Sequence, residues 1–295
     1  MRANRETVNT REQMIGAILA KQDSRFRWSY DEQMAQQRPE LTYYMPKYKS
    51  TLWTLLLLAD LQAPPDLPQM QRAFDLIFDH FYDTTHHIGA LGKSHFPIPC
   101  LNGNMLYLHF YLKRPCTEQI DGMIEFFDSY QRFDDGEFRT PKTFPYFSNK
   151  SCYGRHTCYW GVVKLLRGLS FIPRSERTPA AQHLLEGCID FILQHEVCYQ
   201  SHHKEKFLHL WIHQLTFPSL WRDDFLGILW LLAREGVRDA RMTRALDLLQ
   251  SKRQANGSWR VEHPMAELII PFGCKSCAEA LLTERALEVL DLCEG

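Results

Sequence analysis

The densest run of chemically capable side chains is Cys152-Tyr153-Gly154-Arg155-His156-Thr157-Cys158. On a helix, Cys152 and His156 stand at i and i+4 and share a face, within reach of one metal ion. Cys158 faces elsewhere unless the segment opens irregularly. The metal candidates are thus Cys152, His156 and Cys158, with zinc as the cofactor. Zinc needs further ligands, for which Cys274, Cys277, His202, His203, His209 and His213 are available. The plainer reading is that buried cysteine is a common small core residue. A second set is Asp223-Asp224, an acidic pair just ahead of an apolar run. A buried carboxylic acid with a raised pKa could protonate an alkene or act as general acid. Either aspartate could equally cap the helix that follows.

The elements that position these groups repeat along the chain. Five apolar-proline pairs, Met45-Pro46, Phe96-Pro97, Phe144-Pro145, Phe217-Pro218 and Ile270-Pro271, recur at intervals of about 50 residues, one of them longer. Each precedes an apolar helical run. The pattern predicts outer helices over 10–20, 69–81, 117–130, 179–195 and 239–252. It predicts more apolar inner helices over 50–61, 104–112, 152–169, 221–233 and 276–292. Runs apolar nearly all round must be buried on both sides. Five such pairs suggest an inner ring wrapped by an outer one, an open solenoid being the alternative. No sustained period-2 alternation argues for a large sheet.

Two loops sharpen this. Gln131-Arg132-Phe133-Asp134-Asp135-Gly136-Glu137-Phe138 and Gln254-Ala255-Asn256-Gly257-Ser258-Trp259 each follow an outer helix. Degenerate versions stand at 22–28 and 194–199. This resembles the QW-type repeat of the terpenoid cyclase and protein prenyltransferase superfamily. The resemblance implies an all-α α/α toroid and an isoprenoid or similar amphiphilic substrate. The loop itself reads as a helix stop, with Gly136 and Gly257 allowing positive φ. The acid motif Asp-x-Asp-Asp and the metal motif Asp-Asp-x-x-Asp of the cyclases are both absent, so the resemblance speaks for fold before activity.

In a toroid the inner-helix N-termini converge on the central cavity and favour anions. Side chains expected there include Lys47, Lys49, Asn102, Asn104, Arg155, Arg222 and Lys275, with Tyr44, Trp53, Tyr153, Trp160 and Trp221 as aromatic wall. Cations among aromatics suit an anionic head on an apolar body, such as a prenyl diphosphate, and aromatic faces stabilise a carbocation. Solvated cations and core aromatics are the plainer reading. In the enzymatic reading, Asp223 or Asp224 is the acid. One alternative is a zinc-dependent transferase or lyase using Cys152 and His156, a pattern that also resembles the zinc toroids of the lanthionine cyclases. Another is a toroid that binds a ligand or protein without catalysis.

The chain of 295 residues is read as one domain, 1–295, with ordinary globular composition and a net charge of −1. That charge gives no global field for nucleic acid. Nine cysteines, an odd number, with a polar start and no apolar leader, fit a cytoplasmic protein with reduced thiols. No run is long enough to span a bilayer. Five hairpins are fewer than a full ring of the superfamily usually has, which leaves a gap or calls for a homodimer partner.

Overall fold

The computed structural model describes residues 10–92, 95–265, 267–271 and 275–294. Their helices are α1 (Arg11–Leu19), α2 (Glu32–Gln37), α3 (Thr51–Asp60), α4 (Pro68–Phe81), α5 (Pro99–Tyr111), α6 (Glu118–Tyr130), α7 (Tyr159–Ser170), α8 (Pro179–Gln194), α9 (Phe225–Arg234), α10 (Thr243–Ser251) and α11 (Lys275–Glu294). A small antiparallel sheet lies between α4 and α5. It is formed by β1 (Tyr82–Asp83), β2 (Ile88–Leu91) and β3 (Phe96–Pro97), with Tyr82 opposite Gly89 and Ala90 opposite Pro97. Strands this short carry no periodic signal in sequence. The short helix α2 likewise falls in a stretch expected to be loop.

The alternation of helix types follows the apolar pattern. Every residue of α3 is buried, and α5, α7 and α9 are buried almost throughout. The helices α4, α6 and α10 bury one face only. The buried helices pack in chain order, α3 on α5, α5 on α7, α7 on α9 and α9 on α11. The others lie against them, α1 on α3, α4 on α3 and α5, α8 on α7 and α10 on α9. One hydrophobic cluster runs through the described chain from Met14 to Leu290. The helix α11 is less enclosed than its counterparts, leaving Leu287 exposed.

The closest approach is between α5 and α7. A Cβ on Gly103 would lie 2.3 Å from the backbone carbonyl of Lys164, and one on Gly168 would lie 2.8 Å from the carbonyl oxygen of Gly103. Side chains at either position would force the two backbones apart. This contact fixes where the polar residues of α7 point.

The expected helix stops lie earlier than their glycines: α6 ends at the extended C-cap Gln131 and α10 at Lys252. Gly136 and Gly257, further along each loop, take φ of 131° and 84°. Trp28 and Trp259, at equivalent points of the first and last units, make the same bonds. The indole N–H of Trp28 donates to Ile18 O at 2.8 Å, and that of Trp259 to Leu249 O at 2.7 Å. Their backbone N–H groups donate to Thr51 Oγ1 and Thr283 Oγ1, each on the neighbouring inner helix. Both indoles are fully buried. The aromatic of this loop is thus a peg that ties one helix pair together.

Three inner helices begin elsewhere than expected. The helix α5 starts at Pro99, because proline suits the first turn. The helix α7 starts at Tyr159, not 152, and α9 at Phe225, not 221. Residues 152–158 form turns with bridges between Tyr153 and Thr157 and between His156 and Asp135. Of the five apolar-proline marks, Met45-Pro46, Phe144-Pro145 and Phe217-Pro218 are cis.

Candidate functional site

A cavity of about 200 Å³ opens beside the first turn of α9. Trp160 from the start of α7, Tyr48, Trp211, His263 and the run Trp221–Arg222–Asp223–Asp224 form much of its wall. The loop before α9 holds these side chains inward because Asp224 pins it twice. Asp224 Oδ1 accepts from Gly227 N at 2.8 Å, capping α9, and Oδ2 accepts from Thr216 N at 2.6 Å. Burial pushes the Asp224 carboxyl up to about 6, against those two donors.

The cationic face of the cavity is Arg222. Its guanidinium carbon lies 4.3 Å from the Trp221 ring centre and 4.7 Å from that of Trp160. Nη1 donates to His209 Nε2 at 2.7 Å. Burial, then the charge of Arg222, pushes the His209 pKa down, which suits its role as acceptor. Among the described residues the buried Nε–H of Arg222 meets no acceptor. Lys47 Nζ lies 4.0 Å from the Trp221 ring centre. This arrangement can hold an anion beside flat apolar surface.

Behind the cavity stands a buried network of charges. Lys164 Nζ lies 2.7 Å from Asp223 Oδ2 and donates to Ser219 O at 2.9 Å. Arg167 pairs with Asp60, donates to Ser219 O at 3.2 Å and lies over the Tyr107 ring at 3.8 Å. Asp60 Oδ2 in turn accepts from Ser219 N at 2.9 Å. All four charged groups are buried. Burial pushes the Lys164 pKa down, opposed by Asp223. Burial also works against the charge of Asp60, but Arg167, Arg285 and Lys164 hold its carboxyl below the ordinary range.

Of the residues expected at an anion site, Trp160, Trp221, Arg222, Asp223 and Asp224 meet at this cavity. The others do not line it. Asn102 is fully buried and serves β2, accepting from Gly89 N at 2.6 Å and donating to Gly89 O at 2.8 Å. Asn104 is buried one helical step away. Trp53 is core, its indole donating to Tyr44 O, with the Tyr44 ring edge-on to it. Tyr153 donates to Pro97 O at 2.6 Å. Arg155 donates to Gly136 O at 2.9 Å, back to the third loop. Lys49 ends the loop before α3 and its carbonyl accepts from Thr54 Oγ1. The side chain of Lys275, and Cys274 altogether, lie outside the described residues.

The spacing argument for a metal lapses with the helix that it assumed. His156 Nδ1 donates to Asp135 Oδ1 at 2.7 Å. Cys152 sits in the turn, and Cys158 is the N-cap of α7. Cys158 is drawn to Cys100 instead. A hydrogen bond with the Cys100 thiol outweighs burial and holds the Cys158 pKa below the ordinary thiol value. Among the described residues no three His, Cys, Asp or Glu side chains are arranged to hold a metal ion. Nor is any described helix long and apolar enough to cross a membrane.

Compared with protein-family models, with curated proteins and with solved structures, the chain matches none. The site therefore rests on its own geometry. Sequence reasoning missed Asp60, Lys164, Arg167 and Cys100. A signal existed for the first three. Lys164 and Arg167 stand i,i+3 inside an apolar run, and Asp60 ends another, where an unpaired charge would be too costly. For His209 and Trp211, which come from a distant loop, no local signal existed.

Proposed function

We propose that the five helix pairs close into an α/α toroid and that the protein binds a short amphiphile, an anionic head on an isoprenoid-like body, in the cavity at α9. The unpartnered Nε–H of Arg222 carries this reading. It is a donor held between two indoles at the mouth of a helix. Lys47, 4.0 Å from the Trp221 ring, adds to the attraction for an anion. Support for the ring comes from its two ends. Arg11 of α1 bonds both Gln62 after α3 and Glu284 of α11. Residues of α3, including Ala59 and Asp60, share a second cavity with Leu281, Glu284 and Arg285 of α11.

The size of the α9 cavity argues for a short ligand, since drug-sized pockets run to about 300–1,000 Å³. The axis behind it is filled by the Lys164–Asp223 and Arg167–Asp60 pairs, which favours binding over cyclisation of a long chain. Asp224 is the candidate acid for an enzymatic version. Its raised pKa favours that role, and the two backbone donors on its oxygens oppose it.

The test is tryptophan fluorescence of the full chain titrated with dimethylallyl and geranyl diphosphate. Saturable quenching is expected, weakened roughly tenfold or more by Arg222→Met. No saturation with either ligand, or unchanged affinity in Arg222→Met, overturns the reading.

A further inference from the structure

A third cavity, of about 420 Å³, lies apart from the α9 site, between the third loop and the segment after α8. Its floor is Asp135, whose side chain is only 10% exposed. The carboxylate accepts from His156 Nδ1 at 2.7 Å and from Ser201 Oγ. Burial works against its charge, but these two bonds and the nearby His195 hold its pKa below the ordinary value.

The other polar atoms around this floor are mostly lone pairs. His195 is 3% exposed. Its Nδ1 faces Tyr199 O at 3.1 Å and must donate, so Nε2 carries a lone pair. That Nε2 is buried, lacks a partner among the described residues, and lies 4.0 Å from Asp135 Oδ2. Burial pushes the His195 pKa down, which keeps the ring neutral. His156 and His202 are oriented alike. Each donates one nitrogen to Asp135, His202 to the carbonyl at 3.0 Å. Thr157 Oγ1 is a second buried atom without a partner on the lining.

Two acceptors 4.0 Å apart repel each other unless a donor sits between them. A single atom bonded to both at about 2.8 Å would see them at an angle of about 90°, which suits a group with several protons on one nitrogen. Water has the protons but not the charge. Among the described residues lining the cavity there is no lysine or arginine. Lys204, whose charge reaches His195, is tied to Glu196 at 3.1 Å and to Gln194 O at 2.8 Å. Among the described residues, the negative floor is thus met by a hydroxyl and imidazoles, with no lysine or arginine on the lining.

We propose that this cavity is a binding site for a primary ammonium ligand, whose nitrogen bridges Asp135 and His195. The rim of Gln200, His202 and His203 gives the rest of such a ligand polar company, with Tyr159 and Leu208 as its apolar wall.

The test is a nitrogen–proton correlation spectrum of the histidine rings in the full chain. It is titrated with propylammonium chloride, with tetramethylammonium chloride as a control that carries the charge without N–H donors. Saturable shifts at His195 and His156 are expected with propylammonium alone. Asp135→Asn and His195→Phe should each weaken binding roughly tenfold or more. Asp135→Asn also disturbs the loop. The decision therefore falls on His195→Phe, which keeps a ring against Tyr159 and Phe191. Equal shifts with both salts, no saturation, a response to Zn²⁺ alone, or unchanged affinity in His195→Phe would each overturn the proposal.

Discussion

Asp224 and Asp135 are both carboxylates in loops that join helices, and their surroundings drive them in opposite directions. Asp224 is 3% exposed and its two hydrogen bonds come from backbone N–H groups. Desolvation wins there, and its pKa rises to about 6. Asp135 keeps a route to solvent and takes hydrogen bonds from Ser201 and His156. Donors win there, and its pKa falls. The difference teaches that acidity in this fold is set by burial and by which donors reach the carboxylate. Fully buried charges such as Asp60 and Asp223 stand beside cations. At the third loop, Asp135 takes a hydroxyl and an imidazole instead.

The sharpest way to break that contrast is Lys164→Met. It leaves Asp223 buried beside Ser219 without its cation. Losing one partner of a buried pair costs about 3–5 kcal/mol. Urea unfolding should report a loss of that size, and Asp223→Val added to Lys164→Met should recover most of it. A loss below about 1 kcal/mol would mean that water reaches the pair, and the buried pairs would no longer differ from the loops.

Asp224→Asn sharpens the contrast through pH. The folded-state pKa of Asp224 is raised, so its ionisation works against folding. The wild type is therefore at its best, relative to Asp224→Asn, below the ordinary carboxylate pKa near 3.8. It loses ground as pH rises through about 6. A shift of about two units corresponds to about 3 kcal/mol. The difference in unfolding free energy between the two proteins, measured from about pH 3 to about pH 7, should fall by that amount. Asp135→Asn should show the opposite slope. A depressed pKa stabilises the wild type above the ordinary value, and that gain disappears as pH falls through the folded one. Parallel slopes in the two variants would sink the comparison.

Much of this was legible in the sequence, and the reason differs by element. The helix pairs could be read because burial on all sides leaves an unbroken apolar run, as in α3, whose residues are all buried. The stop loops could be read because Gly257 and Trp259 have local duties, a positive φ and a bond to Leu249 O. Helix starts were less legible. Whether 152–158 is helix depends on Asp135 and Pro97, which are distant in sequence. Of the site, the run 221–224 was visible as cations, aromatics and acids at one helix mouth. That Asn102 serves a strand was not, because β2 is only four residues long. The partners of Asp135 were hidden for the same reason, since Ser201 and His195 arrive from another unit.

The smallest expected effect is that of His156→Ala, and it probes the loop side of the contrast by itself. The His156 side chain is 65% exposed, so water replaces its bond to Asp135 at little cost. Asp135 keeps the Ser201 hydroxyl, and its carbonyl keeps His202. A loss of about 1 kcal/mol or less is expected in urea unfolding. The same variant should leave diphosphate binding at the α9 cavity unchanged, because His156 does not line it. A loss near that of Lys164→Met would place the Asp135 cluster among the buried structural pairs. Depth would then no longer separate the two carboxylates.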